Sequence, residues 1–245
     1  MKSLLLTLVL LITFSAFAAT KDVSYKSGNE TVKGILYTPE GKGPFPAIIV
    51  IHEWWGLNDW VKEQATKLSG QGYVALAIDL YRGKVATTPE EAHEIMRGVP
   101  EDRAKRDLHA AFDFLSSQPN VKKDRIASIG WCMGGGYSLD VALQEPTLRA
   151  AVINYGHLAT DASSLKGINA SILGIFGGQD RGITVHDVQE FQQALKENGK
   201  SVEIKIYPDA GHAFENPNNT GGYRATDAAD AWDRTVKFLS STLKQ

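Results

Sequence analysis

The sequence predicts an α/β fold, a mostly parallel central sheet with helices on both faces, on three observations. Apolar, β-branched runs such as Ala47-Ile48-Ile49-Val50-Ile51 have the unbroken pattern of strands buried on both sides. These runs alternate with stretches of helical periodicity, several of them closed by glycine. The residues able to do chemistry fall just beyond the strands, where sheets of this kind place their ligands.

Residues 1–18 stand apart from that pattern. Lys2 supplies a positive start, Leu4 to Phe14 is apolar, and Ala16-Phe17-Ala18 offers small residues to a signal peptidase. The apolar run is shorter than the ~20 residues of a membrane span. The expectation is therefore a signal peptide cleaved after Ala18, a periplasmic or secreted product, and no membrane attachment afterwards. Residues 19–245 are expected to form one domain and a monomer.

Within that domain, Val23 to Lys26 and Thr31 to Thr38 read as strands around the loop Ser27-Gly28-Asn29-Glu30. The strand Ala47 to Ile51 leads to a helix from Asp59 to Leu68, stopped by Gly70 and Gly72, and then to the strand Val74 to Ile78. Helices follow at Pro89 to Met96 and Glu101 to Leu115. The strand Ile126 to Gly130 precedes a helix at Gly134 to Leu143, and strands at Ala151 to Asn154 and Ile172 to Phe176 come next. A helix from Val185 to Asn198, a strand from Val202 to Tyr207 and a helix from Gly222 to Leu243 complete the chain.

With 43% hydrophobic and 22% charged residues, the composition supports a sizeable core. A net charge of −2 leaves no electrostatic footprint for nucleic acid or an anionic membrane. The one cysteine, Cys132, cannot form an internal disulfide; it is an intermolecular link, a free thiol or an inert buried side chain.

Its neighbours decide among these. In Gly130-Trp131-Cys132-Met133-Gly134 a strand ends and a helix begins, with glycines two places to either side. A nucleophile elbow needs that arrangement, because the central residue sits in a strained turn and the glycines permit close packing. The helix N-terminus supplies free N–H groups and a positive dipole end, which stabilise negative charge on sulfur. The run lacks the lysine and the spacing of phosphate-binding glycine loops.

An α/β-hydrolase fold orders its triad as nucleophile, acid, histidine. Here Asp180 follows the strand ending at Phe176, and His212 follows the strand ending at Tyr207. Together with Cys132 they read as a triad on three successive loops: His212 takes the thiol proton and Asp180 fixes its tautomer. Asp180 could instead cap the helix that starts near Thr184, His212 could be a surface histidine, and Asp209 is a rival acid. The segment His52-Glu53-Trp54-Trp55-Gly56 follows a buried strand, where such folds build half of an oxyanion hole. The expected donors are the backbone N–H groups of Met133 and Trp54. Glu53 could form a salt bridge, or it could keep the thiol protected until substrate arrives. His93, His109, His157 and His186 lack metal-ligand spacing, and neither a metal nor another cofactor is expected.

These segments together resemble the dienelactone hydrolase family. The resemblance is carried by His52-Glu53-Trp54-Trp55-Gly56-Leu57-Asn58, Asp79-Leu80-Tyr81, Gly130-Trp131-Cys132-Met133-Gly134-Gly135, Gly177-Gly178-Gln179-Asp180 and Ala210-Gly211-His212-Ala213-Phe214. It implies a Cys-His-Asp triad that opens cyclic dienelactones through an acyl-enzyme, with Glu53 interacting with Cys132 at rest. Family members that take the anionic dienelactone carry an arginine shortly after the histidine, whereas this chain reads Phe214-Glu215-Asn216-Pro217-Asn218. Arg82, Arg97, Arg181 and Arg224 are the other candidate cations. The expected function is hydrolysis of a small ester or lactone; Trp54, Trp55, Tyr81, Trp131 and Phe214 suggest a small apolar or aromatic acyl group, although aromatics at strand ends more often serve plain packing. A ligand- or partner-binding protein on the same fold, and an acyltransferase using the same triad, are the alternatives.

Overall fold

The computed structural model describes residues 19–245, and the expected signal peptide, 1–18, lies outside the described residues. Eight strands form one sheet in the order β1-β2-β4-β3-β5-β6-β7-β8. β1 (Ala19–Ser27) and β2 (Glu30–Thr38) make an antiparallel hairpin, and β2 runs antiparallel to β4 (Val74–Asp79). Every other pairing is parallel, through β3 (Phe45–Ile51), β5 (Val121–Trp131), β6 (Ala150–Asn154), β7 (Ser171–Gly177) and β8 (Val202–Tyr207). β4 and β6 are buried throughout, as their apolar runs require of strands covered on both faces.

Alternate side chains of the sheet feed two cores. Ile49, Ile51, Leu76 and Ile78 pack with Leu108 of α3 (Glu101–Ser117), Leu139 of α4 (Met133–Gln144) and Phe191 of α5 (Val185–Glu197). Ile48, Val50, Ala75 and Ala77 pack on the opposite face with Leu68 of α1 (Asp59–Gly70) and Leu239 of α6 (Ala225–Leu243). α2 (Pro89–Arg97) fully buries only Ala92 and rests Ile95 and Met96, partly buried, on the first core; Thr88 caps it and Pro89 opens it.

Three boundaries differ from the sequence reading by three residues or more. β1 starts at Ala19 rather than Val23, because its ladder with β2 runs on to the pair Ala19 and Thr38. β5 starts at Val121 rather than Ile126, because Phe45 pairs with Val121 across a register shift and carries the exposed charged run Lys122-Lys123-Asp124 into the strand. α6 starts at Ala225 rather than Gly222, because the N–H groups of Gly222 and Tyr223 turn back to the carbonyl of Asn219. The strand ends that carry Cys132 and Asp180 move by one residue only, to Trp131 and Gly177, and the end that carries His212 stays at Tyr207.

Candidate active site

Cys132 is the single residue between β5 and α4, with φ 55° and ψ −119°. A non-glycine side chain in that region stores strain of about 1–3 kcal/mol, tolerated only where the surroundings over-determine it. They do so here. The Cys132 N–H donates to the Asn154 carbonyl (3.0 Å), and the Cys132 carbonyl accepts from Gly135 (3.0 Å) and Gly136 (3.3 Å). The Asn154 side chain donates to the Gly130 carbonyl at 2.9 Å, tying β5 to β6 beside the turn. A Cβ at Gly130 would lie 2.0 Å from the Gly134 carbonyl oxygen, and one at Gly134 would lie 2.5 Å from that of Ile51. Both glycines are therefore steric requirements of the elbow.

The loop after β7 holds Asp180, whose side chain is 2% exposed. One oxygen, Oδ2, accepts from His212 Nδ1 at 2.7 Å; the other accepts from the N–H groups of Gly182 (2.8 Å) and Ile183 (3.0 Å). Burial alone would raise this carboxyl, but the hydrogen bonds from His212, Ile183 and Gly182 outweigh it and hold it below the usual range. Asp180 is not the cap of α5: Thr184 is, in a reciprocal capping box with Asp187. Asp209 is exposed and makes no hydrogen bond to His212; its carbonyl accepts from Arg224.

His212 follows β8 and presents its ring between Asp180 and Cys132. Burial disfavours its charged form, yet the hydrogen bonds to Asp180 and Cys132 prevail and bring the imidazolium to about 10. With Nδ1 committed to Asp180, the nitrogen left for the sulfur is Nε2. The three residues do not sit on successive loops, as the sequence suggested, because β6 lies between β5 and β7 in the sheet. The residue after β6 is Tyr155, held at φ 36° and fully buried, with its ring edge-on to His212 (centroids 5.2 Å apart). Sequence reading missed it, since its position depends on the intervening strand.

Glu53 follows β3 and is 1% exposed. Burial raises its carboxyl to about 7, against the opposing effects of a hydrogen bond from Asn216 and the charge of His212. Asn216 Nδ2 donates to Oε2 at 2.6 Å, while Oε1 has no partner among the described residues. No hydrogen bond joins Glu53 to Cys132, although both line one cavity. His52 braces the segment: its Nε2 accepts from the Leu80 N–H (3.3 Å), which leaves Nδ1 to donate to the Glu53 carbonyl (2.6 Å). That tautomer is neutral, in keeping with a ring whose pKa burial lowers. Glu215, in the sequence only an acidic residue where an arginine was sought, accepts from Trp131 Nε1 at 3.1 Å, and burial raises it to about 8. Asn216 and Glu215 carried no signal in sequence, because their partners lie 163 and 84 residues away.

The backbone N–H groups of Met133 and Trp54 donate to no acceptor among the described residues, and both residues line the cavity beside Cys132. That cavity is an open cleft of about 1140 Å³. Trp54 and Trp55 line it, whereas Tyr81, Trp131 and Phe214 are buried in the packing and do not. No lysine or arginine among the described residues lines it. Arg82 instead pairs with buried Asp107 at 2.7 Å, and Arg97, Arg181 and Arg224 lie outside the lining.

Comparison with known proteins follows the same lines. The dienelactone hydrolase family matches residues 32–243. Two curated relatives carry the name "Putative carboxymethylenebutenolidase". The one from Methylorubrum extorquens is 34% identical over 80% of this chain and 72% of its own. The one from Saccharolobus solfataricus is 32% identical over 91% of this chain and 99% of its own. Among solved structures, a dienelactone hydrolase-like promiscuous phosphotriesterase from metagenomic libraries superposes with a TM-score of 0.85 at 27% identity, covering 92% of this chain and 99% of that one.

Proposed function

The chain belongs to the dienelactone hydrolase family, and from that premise we propose that it hydrolyses a small ester or lactone through Cys132, His212 and Asp180. The observation that carries the reading is the Asp180–His212 hydrogen bond, 2.7 Å long, aimed at the one strained cysteine of the fold.

In the resting site His212 is an imidazolium beside the sulfur, which stabilises negative charge there. The sulfur attacks the substrate carbonyl, and the N–H groups of Met133 and Trp54 receive the oxyanion; one such donor is typically worth about 3 kcal/mol of barrier. Collapse breaks the ester bond, and His212 Nε2 gives its proton to the departing alkoxide. Water then attacks the thioester while His212 accepts its proton, and the released acid leaves the thiolate–imidazolium pair restored. Asp180 keeps Nδ1 protonated throughout. Glu53 lines the same cavity as this pair, and its protonation state sets how much negative charge the sulfur meets, so it acts as the gate on the nucleophile. We place the enzyme outside the cytoplasm, on the strength of residues 1–18.

The test is Cys132→Ala assayed on short activated esters and lactones. The reading predicts a loss of roughly a thousandfold or more in kcat/KM. Undiminished turnover in that variant would sink it.

A further inference from the structure

α4 begins at Met133, the residue after the nucleophile, and turns 3.6 residues at a time. Met133, Tyr137, Asp140 and Leu143 therefore recur on one face, and all four line the cavity. From Met133 to Leu143 that face rises about 15 Å. Met96 of α2 and Ile183 line the cavity with it. The cleft is thus a trough that runs from the sulfur along most of a helix, far longer than a small lactone ring needs.

Away from His212 its fixed charge is acidic. Glu53 and Asp140 are the carboxyl groups in the lining, and no lysine or arginine accompanies them. Lys105, which acts electrostatically on Asp140, is not part of the lining. The lining imidazoles are His212, which is taken up by Asp180 and the sulfur, and His157 near Asp140; a carboxylate carried along α4 past Asp140 would lose its water and meet no lysine or arginine to replace it.

Resting on the hydrolase reading above, we propose that the α4 trough binds the acyl group, and that it selects extended, uncharged apolar acyl chains over short or carboxylate-bearing ones. The acyl group is the part that must stay in place, since it remains bonded to Cys132 after the alcohol has left. An apolar trough that starts beside the sulfur holds it through the second step, and burial of each added methylene strengthens that hold.

Three p-nitrophenyl esters with one leaving group decide the matter: the acetate, the octanoate and the suberate monoester, an octanoyl chain ending in a carboxylate. The expected order in kcat/KM is octanoate over acetate by about tenfold or more, and octanoate over the suberate by about a hundredfold. Asp140→Lys narrows the second ratio and Leu143→Asp narrows the first, with circular dichroism melts checking that each variant is folded. Equal or better turnover of the suberate, or of the acetate, overturns the proposal. Binding to Cys132→Ala, read by tryptophan fluorescence, separates this claim from the hydrolase reading. A protein that binds the octanoate in preference to both others, yet turns none over, would keep the trough and lose the enzyme.

Discussion

Glu53→Gln should stabilise the protein, and more so as the pH rises. The carboxyl sits at about 7 in the fold against an ordinary value of 4.5, chiefly because burial penalises its charge. At about 1.36 kcal/mol per tenfold change in proton affinity, that gap amounts to about 3 kcal/mol of order-of-magnitude penalty. The sign follows from which form the fold prefers. Below pH 4.5 the carboxyl is protonated in both folded and unfolded chains, and there is no penalty. As the pH climbs from 4.5 to 7, the unfolded chain releases its proton and the folded one does not, so stability falls. Above 7 both are ionised and the full penalty remains. Glutamine keeps an oxygen to accept from Asn216 and carries no charge, so it escapes this fall. Urea denaturation at pH 5 and pH 8 measures the difference between variant and parent. That difference is expected to grow by about 3 kcal/mol over the interval. A difference that stays flat, or one that shrinks with pH, refutes the assignment of Glu53 as a carboxyl whose burial penalty outweighs Asn216 and the charge of His212.

Other substitutions report on the framework. Asp180→Asn should leave the fold intact, drop the His212 imidazolium well below its value of about 10, and lower kcat/KM roughly a thousandfold; NMR titration of the ring and steady-state assays check both. Gly134→Ala drives a Cβ to 2.5 Å from the Ile51 carbonyl oxygen, and should destabilise the protein by about 3 kcal/mol in denaturant melts. Thr184→Ala removes the cap of α5 and should cost about 1 kcal/mol in the same melts, with activity preserved because Asp180 is positioned by Gly182 and Ile183 instead.

Much of this architecture was legible in the chain. Ala47 to Ile51 and Val74 to Ile78 could only be strands covered on both sides, and they are. The glycines around Cys132 announced a turn too tight for side chains, and the contacts a Cβ would meet there agree. What escaped the reading depends on partners distant in sequence. Lys122-Lys123-Asp124 lacks the apolar pattern of the strand that follows and becomes strand through the pairing of Val121 with Phe45. Tyr155 and Asn154 gain their place beside Cys132 only because β6 is inserted between β5 and β7. Glu215 and Asn216 stood in the sequence only where an arginine was sought. The return of that segment over Trp131 and Glu53 is what buries Asn216 and half-buries Glu215. Tyr81, Trp131 and Phe214 fall to the packing role that aromatics at strand ends more often serve, and only Trp54 and Trp55 reach the cavity.

The central claim is that Cys132 becomes acylated during turnover, and mass spectrometry of an acid-quenched reaction with a p-nitrophenyl ester tests it most directly. The account predicts an acyl adduct on the peptide containing Cys132, formed at the rate of the nitrophenol burst and absent from Cys132→Ala. Steady turnover with no adduct at Cys132, at a rate that Cys132→Ala shares, would contradict it.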